Sequence, residues 1–417
     1  MSKILRSPLF LMAFTIFIDM AGFALILPLL PFWAEHLGAS ATQVGLILTI
    51  YALAQFIFTP ILGRLSDRYG RKKIIAASLL IEAASFALTA LAGSLPVLLI
   101  ARFIGGIGAS NIGSAQAVVS DVTPPEGRAR GMGMIGAAIG LGFVVGPAIG
   151  GVLAPIGATL PFWVAMSVAI ANALLVILFL PETRKSRATT GSNTTRGNVL
   201  FAGWQYVLKS GVLARLIAIN LLFTVAFTAM EAVFPLFTQK TFGWTAMQNG
   251  YLFTYVGFII VIMQGGLVGQ LVKRFGERKL AIAGMVMLAT GLLMLTISVN
   301  LALLLIALGI LSVGDGAVTP TISTLLSFAS PEDAQGETLG VAQGVAGLGR
   351  VIGPLVAGSL FQFSGASMPF FVGGLVIALA TLFLLPTLPS RPMQVEAHLD
   401  SLPDTSDEQS FSVTGKR

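Results

Sequence analysis

Apolar runs of about twenty residues recur along the whole chain, separated by short polar or Gly/Pro-rich breaks. There are twelve, near 8–32, 43–65, 73–93, 95–119, 129–154, 159–181, 213–238, 246–272, 278–298, 300–326, 337–362 and 366–386. A helix needs about 20 mostly apolar residues to cross a bilayer. The runs are too long for barrel strands and do not alternate, and open strands would leave backbone groups unpaired in lipid. The pattern therefore predicts an all-α integral membrane protein with twelve transmembrane helices. The first run follows a basic start and could imitate a signal peptide. It extends to Leu30, contains Asp19 and lacks a small-residue cleavage site, so it reads as an uncleaved span. Residues 183–212 turn abruptly polar and rich in Ser, Thr and Gly, and residues from 388 onward are acidic. The expected organisation is a six-helix bundle over 1–182, a linker at 183–212, a second bundle over 213–387 and a mobile tail at 388–417.

Composition excludes the other classes. Hydrophobic residues make up 55% of the chain and charged residues 10%, too few to cover a soluble surface of this size. With no cysteine, and only His36 and His398, neither disulfides, thiolate chemistry nor a Cys/His metal centre is available; no cofactor or metal is expected. The net charge of +7 could suggest nucleic acid, but its placement argues otherwise. Of 25 basic residues, 22 fall before span 1, in alternate loops or after span 12, leaving Arg102, Lys240 and Arg350 elsewhere. By the positive-inside rule the termini and the central linker are cytoplasmic. The partners expected are lipid, protons and a small molecule, with no nucleic acid.

The two halves repeat at an offset of 206–207 residues. GRLSDRYGRKK at 63–73 aligns with GQLVKRFGERK at 269–279, and GLGFVVGP at 140–147 aligns with GLGRVIGP at 347–354. Both basic loops lie on the same side, so the repeat is parallel. Six helices plus six about an axis along the membrane normal is a transporter architecture.

These motifs resemble the major facilitator superfamily, specifically its twelve-span drug:H+ antiporters and nearest to the tetracycline-exporter-like multidrug efflux proteins. The Gly63–Lys73 segment resembles the loop 2–3 signature. Arg102 within LLIARFIGGIGAS resembles the span 4 signature. Gly142, Gly146, Pro147, Gly150 and Gly151 resemble the span 5 motif associated with antiporters. The resemblance implies an inner-membrane, monomeric exporter of amphipathic or cationic small molecules, including antibiotics, that exchanges them for protons by alternating access. A carrier of a metabolite, sugar or lipid would use the same fold. An enzyme is not implied. In the family the loop 2–3 network latches the outward-facing state, here through Gly63, Asp67, Arg68, Gly70 and Arg71, with Asp121 as the partner across helices. The sequence departs from tetracycline-type exporters in having no acid in span 9.

Six charges fall within the spans: Asp19, Glu82, Arg102, Glu231, Asp315 and Arg350. Each costs about 2.5–3.5 kcal/mol near a helix centre, so they should face a cavity or one another. A carboxylate alternately paired with and released from arginine can carry a proton, which makes these six the candidates for proton coupling. Arg350 is also placed to neutralise Asp315 on the preceding span. Candidates for lining an apolar substrate cavity are Phe23, Gln55, Asn111, Gln116, Phe227, Tyr251, Tyr255 and Gln343. The GxGxxG match at 131–136 opens a membrane helix without a preceding strand and is coincidental.

Overall fold

The structure, a computed structural model, describes residues 7–124, 127–183, 207, 209–331 and 334–383. Most of the linker and the whole tail beyond residue 387 lie outside the described residues. Among the described residues every regular element is helical. The first half comprises α1 (Pro8–Ile26), α2 (Ala41–Tyr69), α3 (Arg71–Ala90), α4 (Leu95–Val122), α5 (Arg128–Leu153) and α6 (Leu160–Phe179). The second comprises α7 (Gly211–Phe242), α8 (Ala246–Phe275), α9 (Glu277–Thr296), α10 (Leu301–Ala329), α11 (Gln335–Ser364) and α12 (Met368–Phe383). The first eleven are long and apolar enough to cross a membrane. The 16 described residues of α12 span about 24 Å, shorter than the 366–386 run.

Local sequence explains where the helices stop. The run at 8–32 is not one helix: Pro28 and Pro31 remove backbone donors and end α1 at Ile26, and a short helix, Leu30–His36, follows. Ser40 and Gln43 form a reciprocal cap on α2, and the Asn300 side chain accepts the Leu303 N–H at 2.9 Å to start α10. Single glycines join α2 to α3 and α8 to α9. Gly70 has φ +107° and Gly276 has φ +78°, conformations that a side chain would strain. These glycines are repeat mates, so the repeat read in the sequence is also a repeat of backbone geometry. Two helices are interrupted midway. In α4 a 3-10 turn at Ala109–Asn111 follows three closely spaced glycines, and in α8 a π-helical turn spans Met263–Leu267 around Gly265 and Gly266.

The two halves meet along α2 against α11 and α5 against α8. The contacts concentrate at the face away from the basic loops. Thr42 N–H donates to Gln362 Oε1 at 3.1 Å, and Thr49 Oγ1 donates to the Val351 carbonyl at 2.9 Å. Gly45 lies against the Pro354 carbonyl, Gly358 against that of Ala41, and Gly250 against Pro147 and Gly151. Toward the basic face the helices diverge. Gly63, Gly133, Gly136, Gly265, Gly336, Gly340 and Gly344 have open space where a side chain would begin. The halves thus pack tightly at one face, while the glycines toward the basic loops meet open space.

Candidate functional site

The first half holds a buried charged cluster. Asp19 on α1, Glu82 on α3 and Arg102 on α4 are 5%, 2% and 2% exposed. Glycine makes this placement possible: a β-carbon at Gly108 would stand 2.7 Å from the Glu82 nitrogen, so its absence lets α3 and α4 touch at the level of the acid. Asp19 and Glu82 are neighbours, Asn111 stands beside Asp19, and Arg102 is within electrostatic reach of Glu82. The Arg102 guanidinium lies over the Tyr51 ring, 4.4 Å from its centroid. Asp19 is hydrogen-bonded to Glu82 and to Asn111, whereas, among the described residues, Arg102 Nε and Nη1 are buried without a hydrogen-bond partner. A fully satisfied structural network would leave no such atoms. Two adjacent carboxyl groups and a guanidinium held by a π-face and by the field of Glu82 can take up or release a proton as their spacing changes. Tyr51 was not among the sequence candidates; the available signal was an isolated aromatic hydroxyl deep in an apolar span.

The second half holds its own cluster: Glu231 on α7, Asp315 on α10 and Arg350 on α11. Asp315 is buried, Glu231 half-buried and Arg350 exposed. Glu231 interacts electrostatically with both others. The interaction partner of Arg350 is therefore Glu231, and the expected neutralisation of Asp315 by Arg350 is not formed. The reason is topological: α11 packs mainly on α7, and much less on its sequence neighbour α10.

At the basic face, Arg71 gathers the loop 2–3 motif. Its Nη1 lies 2.7 Å from Asp67 Oδ1 and donates to Ser66 Oγ at 2.8 Å, and its Nε lies 3.3 Å from Asp121 Oδ2. Its backbone N–H donates to Glu182 Oε1 at 2.8 Å. Glu182, the last acid after span 6, packs against Gly70 and was missed in the sequence; its signal was the PETR segment ending an apolar run. These contacts all lie within the first half. Asp67 is 61% exposed on its side chain, Arg68 lies over the Tyr69 ring, and Gly63 adjoins open space.

The residues of the span 5 motif divide between two neighbouring helices. Gly142, Gly146 and Gly150 pack on α1 of the same half, against Met20, Ala21 and Leu25. The partner half is met one residue around the helix, where Phe143, Pro147 and Gly151 face α8. A shift of one position turns a helix face by about 100°, so adjacent sets serve two neighbours. Of the proposed cavity residues, Phe23 stacks on Tyr51 at 5.3 Å, and Phe227 stacks on Phe223 at 6.3 Å. Gln116, Tyr251 and Gln343 are exposed. Three are committed to structure or to the cluster: Gln55 Nε2 donates to the Ala109 carbonyl at 3.1 Å, Tyr255 donates to that of Leu305 at 3.2 Å, and Asn111 is buried.

Comparison with known proteins agrees with this architecture. The Major Facilitator Superfamily profile matches residues 12–273 and 265–406. The chain is 33% identical over 360 residues to the class H tetracycline resistance protein of Pasteurella multocida, covering 84% of this chain and 88% of that one. It is 31% identical over 369 residues to multidrug resistance protein 1 of Bacillus subtilis, covering 87% and 92%. The crystal structure of the human organic anion transporter MFSD10 superposes with a TM-score of 0.69 at 26% identity, covering 91% of this chain and 99% of that one. Helices, internal repeat and relatives agree: the chain belongs to the Major Facilitator Superfamily and is a membrane transporter, not an enzyme.

Proposed function

We propose that this transporter exports amphipathic small molecules in exchange for protons, by rocking α1–α6 against α7–α12 about the central cavity. The observation that carries the reading is the sealed Asp19–Glu82–Arg102 cluster, in which two carboxyl groups lie side by side and the Arg102 Nε and Nη1 lack hydrogen-bond partners among the described residues. A group kept in that state at a cost of several kcal/mol serves a cycle better than a fold. In the cycle, Asp19 and Glu82 share a proton when Arg102 rests on Tyr51, and release it when Arg102 swings to them. One proton moving inward supplies about 2.3 kcal/mol per 100 mV, enough to drive uphill export over repeated turnovers. The basic face is cytoplasmic and the conformation is inward-open, with the cell membrane as location. Arg71, Asp67, Asp121 and Glu182 form the hub of the latch, in its unlatched state here, because Asp67 points to solvent and not across to the second half. The tetracycline and multidrug resistance relatives support drugs as the cargo.

The test is reconstitution with a pH-sensitive dye trapped in the vesicles. Adding substrate under an imposed pH gradient should move protons, and Asp19→Asn should abolish that flux. Substrate movement without proton flux, undiminished in Asp19→Asn, would sink the antiport reading.

A further inference from the structure

The two basic loops are repeat mates, yet acids gather only at the first. Loop 2–3 surrounds Arg71 with Asp67, Asp121 and Glu182. In the second half the mate of Asp67 is Lys273, that of Asp121 is Phe328, and that of Arg71 is Glu277. Within 273–279, Lys273, Arg274, Arg278 and Lys279 therefore stand against a single acid. Lys273, Arg274 and Lys279 are exposed, and among the described residues neither lysine forms an ion pair. The turns differ in the same way. Gly70 is buried beneath Glu182, the acid that follows the sixth helix, whereas the matching Gly276 is half-buried and meets open space.

Helix α12 packs on α9 as α6 packs on α3. It starts at the closed face, after Gln362, and runs antiparallel to α9 toward the basic one. Gly374 of α12 meets Ala289 and Leu293 of α9. Nine residues further along each helix, about 13 Å, Phe383 comes level with Leu280, so the chain leaves α12 beside Lys279. Where the first half continues as Leu180-Pro181-Glu182, the second continues as Leu385-Pro386-Thr387, without the acid. Acids come later, in residues outside those described: Glu396, Asp400, Asp404, Asp407 and Glu408, with no lysine or arginine between Pro392 and Gly415. Glu396 is 13 residues beyond Phe383, a reach of about 43 Å when extended, ample for a surface that adjoins the end of α12.

We infer that the acidic segment 396–408 docks on the loop 8–9 surface of its own chain, taking beside α9 the place that Glu182 takes beside α3. Charge complementarity selects this surface over loop 2–3, whose Arg71 is already paired with acids. The attraction is salt-sensitive, since the Debye length falls from about 8 Å at 0.15 M to about 3 Å at 1 M. It draws on neither the cargo nor the proton coupling and stands apart from the exporter reading.

The test is the rate at which Lys273 and Lys279 are acetylated by a water-soluble reagent, read by mass spectrometry on the full-length protein in phosphatidylcholine nanodiscs. Neutralising the five acids together (Glu396→Gln, Asp400→Asn, Asp404→Asn, Asp407→Asn, Glu408→Gln) should speed modification of both lysines severalfold. Salt at about 1 M should do the same to the unaltered chain and add little to the neutralised one. Lys72 and Lys73 of loop 2–3 are the internal reference and should keep their rates, which also reports that the bundle is intact. Equal rates at Lys273 and Lys279 in the two chains, or a change confined to Lys72 and Lys73, would overturn the docking. So would protection that appears only on adding phosphatidylglycerol and is the same in both chains, because the occupant would then be an anionic lipid. Spin labels at Ser401→Cys and Phe275→Cys in one molecule should give a narrow distance that broadens on neutralisation. The same narrow distance between molecules carrying one label each would assign the tail to a second copy and overturn the inference too.

Discussion

Gly250→Ala should shift the protein toward a form open at the face that is closed here. Gly250 stands where α8 crosses α5 at the closed face. An added β-carbon would lie 2.6 Å from the Pro147 carbonyl oxygen, 2.7 Å from Gly151 Cα and 2.9 Å from Gly151 N. All three are backbone atoms, so no side chain can swing aside, and ordinary contact requires the helices to part by about 0.8 Å. Overpacking of a tight contact costs about 1–3 kcal/mol, and here it is charged only to the state in which this face is shut. At 1.4 kcal/mol per factor of ten, the equilibrium moves about 5- to 150-fold toward the form open at this face. The chain has no cysteine, so labels can be introduced without background. Spin labels at exposed Leu91→Cys and Val299→Cys report the closed face, and labels at Tyr69→Cys and Phe275→Cys report the basic face. In Gly250→Ala the first distance should lengthen and the second shorten. Gly93→Ala, which meets open space, should change neither. Unchanged distances in a folded Gly250→Ala protein would show that this crossing does not hold the face shut.

Glu35, in the short helix after α1, bonds Gln239 of the other half, and burial pushes its carboxyl above the usual carboxylate range despite that bond. A raised value means that this conformation binds the proton more tightly than one with the face open. Falling pH should therefore favour the closed face, between the raised value and the ordinary one near 4.5. Glu35→Gln should remove that dependence in the same distance measurement. Glu182→Ala should remove the acceptor of the Arg71 N–H at the start of α3; because that bond is exposed and water can replace it, a loss of about 0.5–1.5 kcal/mol in thermal unfolding is expected, with slowed transport. Gly70→Ala should destabilise more than Gly63→Ala, because only Gly70 combines a positive φ with a β-carbon that strikes Glu182. Comparable melting temperatures for those two variants would show that the turn tolerates a side chain.

What could be read in the sequence follows from what lipid enforces. Burial of each backbone group within its own helix fixes span number, and the Gly63–Lys73 copy at 269–279 marks the repeat that the matching turns at Gly70 and Gly276 embody. The charges within spans were visible as exceptions to that rule, but their partners were not. Arg350 turned to Glu231, some 120 residues away, because contact between α7 and α11 is a property of bundle packing and leaves no local trace. Tyr51 and Glu182 escaped for a related reason: an aromatic in an apolar run and an acid at a helix end are unremarkable until a guanidinium or a backbone N–H is found beside them. The direction of opening was the least legible feature. Alternating access requires one sequence to satisfy two packings, so a glycine such as Gly45, closed on Pro354, and one such as Gly344, facing open space, must look alike in the chain. Each is needed in the state where its own face is shut. The small residues thus encode both conformations at once, and only the difference between them, a few kcal/mol at crossings such as Gly250 on Pro147, decides which one is seen.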